Sequence, residues 1–282
     1  MSEPPSLPGV THEWIDIGDG LRIHVALAGP ADAPPLLMVH GWPQHWWAWR
    51  HVIPALSDRY RIIAADLRGY GWSDAPRTGY DKAQFATDML ALLDRMEIEK
   101  ATWLGHDWGA FSGFLAALRA PERFERFVPL GVPAPFRPDR SLRTFLLIAG
   151  YQVPIGSPLL GPFIVRHGAA ARILRAARAK GSSWTDEELR TYDDVFRARP
   201  WVSVQTYRSF FWRELPKLAR GPYDDRTLEV PTTLLVGDRD LVTRTVGPDS
   251  YADQPNLSVQ SVAGVGHFIP EEAPDAVIAA LS

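Results

Sequence analysis

The feature that most constrains this chain is the segment 102–111, which reads TWLGHDWGAF. Its apolar beginning predicts a short buried strand, and the Ala- and Leu-rich residues after it predict a helix. Gly105 and Gly109 stand two residues before and two residues after Asp107. Such glycines are typical of a sharp strand-to-helix turn, because side chains there would collide with the neighbouring strand or helix. The segment therefore predicts a turn that presents Asp107 at the edge of a sheet.

The residue at the centre of such a turn decides which chemistry it serves. In its familiar form the turn carries a serine, which needs a base to remove its proton. A carboxylate is already ionised at neutral pH, since the unperturbed pKa of Asp is about 3.9, and it can attack saturated carbon to form an alkyl ester. Attack on an acyl carbon would give an anhydride, which disfavours ester or peptide cleavage. Asp107 could instead only cap the following helix, but two flanking glycines exceed what a cap requires, so we favour a nucleophile.

Composition narrows the class of protein. The 282 residues suit one large domain or one domain with an insertion, and they include no cysteine, which excludes disulfides and thiol chemistry. The net charge of −3 gives no electrostatic case for nucleic acid or an anionic membrane. The first residues lack the pattern of a signal peptide, and no apolar run approaches a membrane span. These features predict a soluble, cytoplasmic protein without membrane insertion. Four of the 11 tryptophans lie between Trp42 and Trp49, which predicts an aromatic wall.

Strand and helix patterns alternate along most of the chain, which predicts an α/β fold with a mostly parallel, doubly wound sheet. Besides the strand before Asp107, the predicted strands are 14–17, 21–26, 36–39, 62–65, 126–132, 232–236 and 257–262. The predicted helices of this part are 46–56, which Pro54 interrupts, and 82–96, 108–119 and 273–281. From about 141 to 220 the pattern is helical only, with examples at 169–180, 185–197 and 201–215. We therefore predict a core of residues 1–134 and 225–282. A helical cap of residues 135–224 is inserted after the strand near 126–132.

Five short motifs follow one another at predicted strand ends: HGWP at 40–43, DLRGYGWS at 66–73, GHDWG at 105–109, GDRD at 237–240 and GHF at 266–268. With these motifs the chain resembles the α/β-hydrolase superfamily, most closely the epoxide hydrolases and next the haloalkane dehalogenases. The resemblance runs from about Trp14 to the C-terminus. It implies the α/β-hydrolase fold, with a site at the carboxyl ends of the parallel strands.

The other triad members are expected after the nucleophile in the order acid, histidine. His267 follows a predicted strand and is expected to act as the general base that activates water. Asp240 and Asp238 both lie in the loop after the strand 232–236. The resembling family uses the last Asp of this loop, so Asp240 is expected to orient His267 and Asp238 to cap the loop.

Two further groups follow from the same resemblance. The HGWP segment could be a plain turn, but the resemblance implies an oxyanion hole built from the backbone N–H groups of Trp42 and Trp108. Opening an epoxide also needs an acid, and a phenol stays protonated at pH 7. Epoxide hydrolases supply two cap tyrosines, and Tyr151 and Tyr207 lie where these are expected. Tyr192 lies in a charged segment and is expected at the surface.

The preferred interpretation is an epoxide hydrolase that acts on a small apolar epoxide and water, with no metal or organic cofactor and no nucleic-acid partner. A haloalkane dehalogenase would share the nucleophile and base, with tryptophan N–H groups for the halide; the tyrosine pair argues against it. A fluoroacetate-type dehalogenase is disfavoured because Trp108 and Phe111 occupy the places of its arginines. A non-catalytic small-molecule receptor would have no use for a nucleophile and base. Whether the chain forms a homodimer stays open.

Overall fold

The computed structural model describes residues 3–136, 142–179, 181, 184–243 and 245–282, and of residues 142–145, 147 and 148 the backbone alone. The strands are β1 (Thr11–Asp16), β2 (Arg22–Ala28), β3 (Pro35–Val39), β4 (Arg61–Ala65), β5 (Ala101–His106), β6 (Phe124–Leu130), β7 (Thr232–Gly237) and β8 (Leu257–Val262). Within the described residues they form one sheet in the order β1-β2-β4-β3-β5-β6-β7-β8. The pairings of β1 with β2 and of β2 with β4 are antiparallel, and the others are parallel.

The helices surround this sheet and supply the cap. They are α1 (Ile53–Leu56), α2 (Lys82–Arg95), α3 (Trp108–Arg119), α4 (Leu142–Gly156), α5 (Leu160–Arg166), α6 (Ala169–Ala177), α7 (Asp186–Ala198), α8 (Pro200–Ser209), α9 (Leu215–Leu218), α10 (Ile269–Glu272) and α11 (Pro274–Ala280). Short 3₁₀ turns lie at Trp46–Trp49 and Pro121–Arg123, and a π-helical turn at Phe210–Glu214 joins α8 to α9. None of the helices in the described ranges combines the length and apolar character needed to cross a membrane.

The central strands are buried on both faces, and β3 shows how. Successive side chains of a strand point to opposite faces. Leu37 and Val39 join one apolar cluster, and Leu36 and Met38 join another. The first cluster includes Phe85 and Met89 of α2 and Phe114 of α3, and the second includes Ile53 of α1 and Val277 of α11. The predicted α/β class with a mostly parallel, doubly wound sheet is therefore confirmed.

Two local predictions near the first helix were wrong. The segment 46–56 is helical with an interruption, but the interruption lies between the 3₁₀ turn Trp46–Trp49 and α1 and not at Pro54. Pro54 lies in the first turn of α1, where proline is tolerated. The tryptophans of this segment do not form a common wall. Trp46 and Trp49 are fully buried in the core, and Trp42 contacts the cap residues Tyr207 and Phe196.

The helices α4 to α9 lie between β6 and β7 in the chain, as the predicted insertion requires. The predicted helix 169–180 ends at Ala177, and Lys180 lies outside the described residues. The predicted helix 201–215 is α8 followed by the π-helical turn. The indole N–H of Trp42 donates to Ser203 Oγ at 2.8 Å, so α8 packs directly over the loop after β3. The domain boundaries at residues 134 and 225 stay a prediction.

Candidate active site

Asp107 lies at a tight bend between β5 and α3. Its backbone has φ 50° and ψ −118°, a conformation that costs a non-glycine residue about 1–3 kcal/mol. A Cβ on Gly105 would lie 2.6 Å from the carbonyl oxygen of Gly109, and a Cβ on Gly109 would lie 2.0 Å from that of Val39. Both glycines are therefore required by the packing of α3 against the sheet, and the bend holds Asp107 beyond the end of β5.

The loop after β3 touches the carboxylate of Asp107. The backbone N–H of Trp42 donates to Asp107 Oδ2 at 2.9 Å, and the backbone N–H of Trp108 is a second favourable partner. A Cβ on Gly41 would lie 2.4 Å from the same oxygen, so glycine is needed for this close approach. These two N–H groups are the ones predicted to form the oxyanion hole, and they lie at one carboxylate.

His267 lies between two carboxylates. Its Nδ1 is 3.1 Å from Asp240 Oδ2, and its Nε2 is 3.9 Å from Asp107 Oδ1. Asp240 is held in turn by the backbone N–H of Val242 and the hydroxyl of Thr243, both at 2.8 Å. A carboxylate beside Nδ1 favours the tautomer with the proton on that nitrogen, which leaves Nε2 facing Asp107 as an acceptor when the ring is neutral. Asp238 instead accepts from the backbone N–H of Gly264 at 2.8 Å, which is a loop-capping contact.

The backbone around His267 is fixed from two directions. The Nε2 of His106 lies 2.9 Å from the carbonyl oxygen of His267 and must donate to it. Burial lowers the pKa of His106 to about 3, so this ring is neutral. The backbone N–H of His267 donates to the carbonyl of Ala177 at 3.0 Å, which connects the histidine loop to the end of α6 in the cap.

The electrostatics of the site favour an ionised pair at neutral pH. Burial raises the pKa of Asp107 to about 6, and His267 together with the N–H groups of Trp42 and Trp108 opposes this rise. Burial also disfavours a charged His267, but the charge and hydrogen bond of Asp240 and the charge of Asp107 raise its pKa to about 9. Burial would raise the pKa of Asp240, but the charge and hydrogen bond of His267 and the hydrogen bonds of Val242 and Thr243 together outweigh it, so the pKa of Asp240 is lowered. At pH 7 Asp107 is a carboxylate facing a protonated His267.

Tyr151 of α4 and Tyr207 of α8 are close to each other and to this carboxylate. Their rings lie 5.7 Å apart between centroids, and the ring of Tyr207 lies 5.1 Å from that of Trp42 and 6.0 Å from that of Trp108. Burial, and further the charge of Asp107, raise the pKa of both phenols well above the ordinary value, so both stay protonated. The amide of Gln152 donates to the Tyr151 oxygen at 3.0 Å, which leaves the phenol proton for another acceptor.

The prediction that Tyr192 lies at the surface was wrong. Its side chain is fully buried in α7. The hydroxyl donates to Glu271 Oε1, and Arg50 Nη1 lies 3.2 Å from the same hydroxyl and 2.7 Å from Glu271 Oε2. Tyr192 therefore joins the cap to α10, the helix that follows His267, and not to the catalytic carboxylate.

Sequence patterns did not reveal the buried Lys82 at the start of α2. Its Nζ lies 3.1 Å from Glu214 Oε1 and 3.2 Å from the carbonyl oxygen of Thr206, next to Tyr207. The same ammonium lies 4.3 Å from the centre of the Trp108 ring. Its charge favours the ionised form of Asp107. A lysine at a helix start normally faces solvent, so no sequence signal distinguished this one.

The chain is similar in sequence and in fold to known proteins. The family model for the α/β-hydrolase fold matches residues 34–155. The soluble epoxide hydrolase of Corynebacterium sp. (strain C12) is 30% identical over 290 residues, which cover 95% of either chain. Epoxide hydrolase A of Mycobacterium tuberculosis is 31% identical over 306 residues, covering 93% of this chain and 94% of that one. The solved structure of the ligand-free epoxide hydrolase CorEH superposes with a TM-score of 0.84 at 28% identity, covering 96% of this chain and 97% of the other.

Proposed function

The chain belongs to the epoxide hydrolase family of the α/β-hydrolase fold, and from this premise we propose that it hydrolyses an apolar epoxide to a vicinal diol through an ester on Asp107. One observation carries the mechanism. Two protonated phenols, the partly buried Tyr151 and the buried Tyr207, lie near a carboxylate that the strained bend holds out from the sheet. A nucleophile with acids near it suits the opening of a ring whose oxygen must gain a proton as it leaves carbon.

In the first step Asp107 attacks one ring carbon of the epoxide. A carboxylate C–O bond forms as the ring C–O bond breaks, and the departing oxygen takes the proton of Tyr151 or Tyr207. The products are a hydroxyalkyl ester on Asp107 and a tyrosinate. The raised pKa of each phenol keeps the proton in place until a strongly basic alkoxide develops, so acid strength matches the demand of the transition state.

In the second step His267 removes a proton from water, and the resulting hydroxide attacks the carbonyl carbon of the ester. The N–H groups of Trp42 and Trp108 stabilise the oxyanion, a type of contact worth roughly 3–4 kcal/mol per donor. The tetrahedral intermediate releases the diol and restores the carboxylate, and the proton taken from water stays on His267, as in the resting site.

The first step also prepares the base for the second. The negative charge of Asp107 helps to raise the pKa of His267 to about 9 in the resting site. Esterification removes that charge, so the pKa of His267 falls. The imidazolium then gives its proton to the tyrosinate formed in the first step, and the neutral imidazole becomes available to activate water. Asp240 still orients the ring in this state.

The geometry disfavours the alternative of a haloalkane dehalogenase. That reaction needs N–H donors for the departing halide and no proton. The indole N–H of Trp42, one donor considered for that role, is taken by Ser203 Oγ at 2.8 Å. The two tyrosines would serve no purpose with halide. A non-catalytic receptor is disfavoured because it would gain nothing from a strained carboxylate facing a histidine.

A single turnover in heavy-oxygen water tests the mechanism. Enzyme in excess over an aryl epoxide should place the label in the Asp107 carboxylate and leave the first diol unlabelled, because the diol receives its second oxygen from Asp107. Label in the diol and none in the peptide that contains Asp107 would refute an ester intermediate.

A substrate comparison tests the reaction class. The enzyme should form diol from the aryl epoxide, and bromide release from a bromoalkane should be much slower. Rapid bromide release without diol formation would move the chain to the dehalogenases. We propose no metal or organic cofactor for this reaction, since Asp107, His267 and the tyrosines supply each proton and electron pair. The cytoplasmic location and a homodimer stay predictions.

A further inference from the structure

The outward side of the cap exposes large apolar side chains. Most of the large hydrophobic residues that are exposed in the described part of the chain lie there, and Leu159 is the extreme case at 91%. We call this surface the outer cap face, and its apolar members are Leu146, Val153, Leu159, Leu160, Phe163 and Trp212. Single exposed hydrophobic residues need no explanation, but several on adjoining elements mark an interaction surface.

Helix α4 forms the middle of this face and has two different sides. Leu146, Gly150 and Val153 follow at helical spacing and are all exposed. A Cβ on Gly150 would meet no atom within 4 Å, so this side of the helix is open. The inner side carries Tyr151, which contacts Tyr207 of the candidate active site. Helix α5 and the π-helical turn pack against α4 and extend the face with Phe163 and Trp212.

Charge is distributed very unevenly between cap and core. The predicted cap, residues 135–224, has 15 basic and 8 acidic residues and thus a net charge of +7. The net charge of the whole chain is −3, so the residues outside the predicted cap carry a net charge of −10. The segment 142–179 contains five arginines and no acidic residue. Glu214 is the only acidic residue in the sequence between residues 195 and 223, and it forms an ion pair with the buried Lys82. The net charge of the whole chain conceals this separation.

Basic side chains lie among and beside the apolar ones. Arg166 follows Phe163 by three residues on α5, and Arg213 follows Trp212 directly. The backbone of Arg208 lies close to Gly156 at the end of α4. The exposed basic residues of these elements are Arg166, Arg208, Arg213, Lys217 and Arg220. Within the described residues none of them forms an ion pair.

We propose that the outer cap face docks on the surface of an anionic phospholipid bilayer. A bilayer surface offers both things that this face needs: phosphate and carboxylate groups for the arginines and lysine, and an apolar layer just below for Leu159, Phe163 and Trp212. A second copy of the chain is a poorer occupant. Pairing two such faces would bring two caps of +7 together, and their repulsion would oppose association.

The docking has a consequence for catalysis, and here it rests on the proposed function. An apolar epoxide partitions into lipid. With the outer cap face on the bilayer, one helix separates the lipid from the acid site, since α4 carries Val153 outward and Tyr151 inward. The docked enzyme would therefore take its substrate from a membrane reservoir.

Vesicle co-sedimentation tests the docking without any turnover. Wild-type protein is mixed with vesicles of phosphatidylcholine alone or with about 30 mol% phosphatidylserine, at low salt and at about 0.5 M salt. We expect binding to the anionic vesicles at low salt and its loss in high salt. Leu159→Ser/Phe163→Ser and Arg213→Glu/Lys217→Glu should each bind at least about tenfold more weakly. The control Arg59→Glu/Arg119→Glu, on the core, should bind like wild type.

Each outcome of these measurements supports or contradicts the docking. Hydrolysis of a water-soluble epoxide without vesicles should be equal in all these variants, which shows that they are folded. No preference for anionic vesicles, or an equal loss in the core control, would overturn the proposal. Light scattering that shows a dimer lost in Leu159→Ser/Phe163→Ser would assign the face to a second copy and also overturn it. Vesicle binding without any epoxide hydrolysis would refute the proposed function and leave the docking intact.

Discussion

His267 Nε2 stands 3.9 Å from the Oδ1 atom of Asp107, which is near but beyond hydrogen-bond distance. The nucleophile is therefore held by the N–H groups of Trp42 and Trp108 and not by the base. Asp107 needs no proton removed before it attacks, whereas water does. The separation suits a reaction in which His267 is dispensable for the first step and essential for the second.

Replacement of His267 by Gln should consequently trap the ester. Attack by Asp107 continues, while hydrolysis of the ester loses its general base, a group that contributes typically about 10²–10⁴-fold. Intact-mass measurement of His267→Gln after exposure to an aryl epoxide should show the mass of protein plus substrate. His267→Gln/Asp107→Asn is the matched control and should stay unmodified. An unmodified His267→Gln protein that still folds and binds the epoxide would contradict the scheme.

The pH dependence of the alkylation step should report the ionisation of Asp107. Because burial raises its pKa to about 6, single-turnover alkylation should decline on the acid side with a midpoint near that value. Protonated His267 holds the pKa of Asp107 down, so His267→Gln should move the midpoint to higher pH. Rapid-quench measurement of ester formation between pH 4 and 9 would show the direction. A midpoint that moves to lower pH in the variant would contradict the charge coupling.

The two tyrosines should matter for epoxides and not for halides. Tyr151→Phe and Tyr207→Phe remove one acid each, and with both removed we expect kcat/KM for an epoxide to fall by about 10²–10⁴-fold. Alkylation of Asp107 by a bromoalkane, however slow, needs no proton and serves as the internal control. Equal loss with both substrates would indicate that the tyrosines shape the pocket and do not donate protons.

Local patterns predicted the strand ends and the residues at them, because a tight turn depends on the residues next to it in the sequence. Gly105 and Gly109 predicted the bend at Asp107 in this way. The prediction for Tyr192 was wrong because it considered only the charged neighbours in sequence and not the side of the helix. Leu189, Tyr192 and Phe196 share a side of α7, and all three are buried. Lys82 gave no local signal at all, since its burial depends on Glu214, 132 residues away in the chain.

Lys82 should act as a positioning residue that joins the cap to the nucleophile. Its ammonium binds Glu214 and the carbonyl of Thr206, and it lies over the Trp108 ring. Lys82→Met leaves Glu214 without its counter-charge, and breaking such a buried pair costs roughly 3–5 kcal/mol of unfolding free energy in urea titration. The variant should also raise the midpoint pH of alkylation, because Lys82 favours ionised Asp107.

The double variant Lys82→Met/Glu214→Gln separates these two effects. It removes both charges of the pair, so it should recover much of the stability. It should keep the raised alkylation midpoint, since the positive charge near Asp107 is still missing. Recovery of both properties would mean that Lys82 acts only through the packing of the cap.

An ionised Asp107 at this buried bend should lower the free energy of unfolding, and the size of this loss should depend on pH. Its native pKa is raised from 3.8 to about 6, so the folded state binds the proton more tightly than the unfolded state does. Stability from this group is therefore complete below about pH 4 and is lost as the pH rises through 6, a loss of about 3 kcal/mol. Asp107→Asn should unfold at higher urea than wild type at pH 8, and the difference should vanish near pH 4.

Asp240→Asn is the opposite case, because the native pKa of Asp240 is lowered. It should lower the free energy of unfolding at pH 8, and this deficit should shrink as the pH falls through the native pKa of Asp240. If Asp107→Asn is destabilised at pH 8 in the same way as Asp240→Asn, then Asp107 is held by stabilising contacts and is not a strained nucleophile.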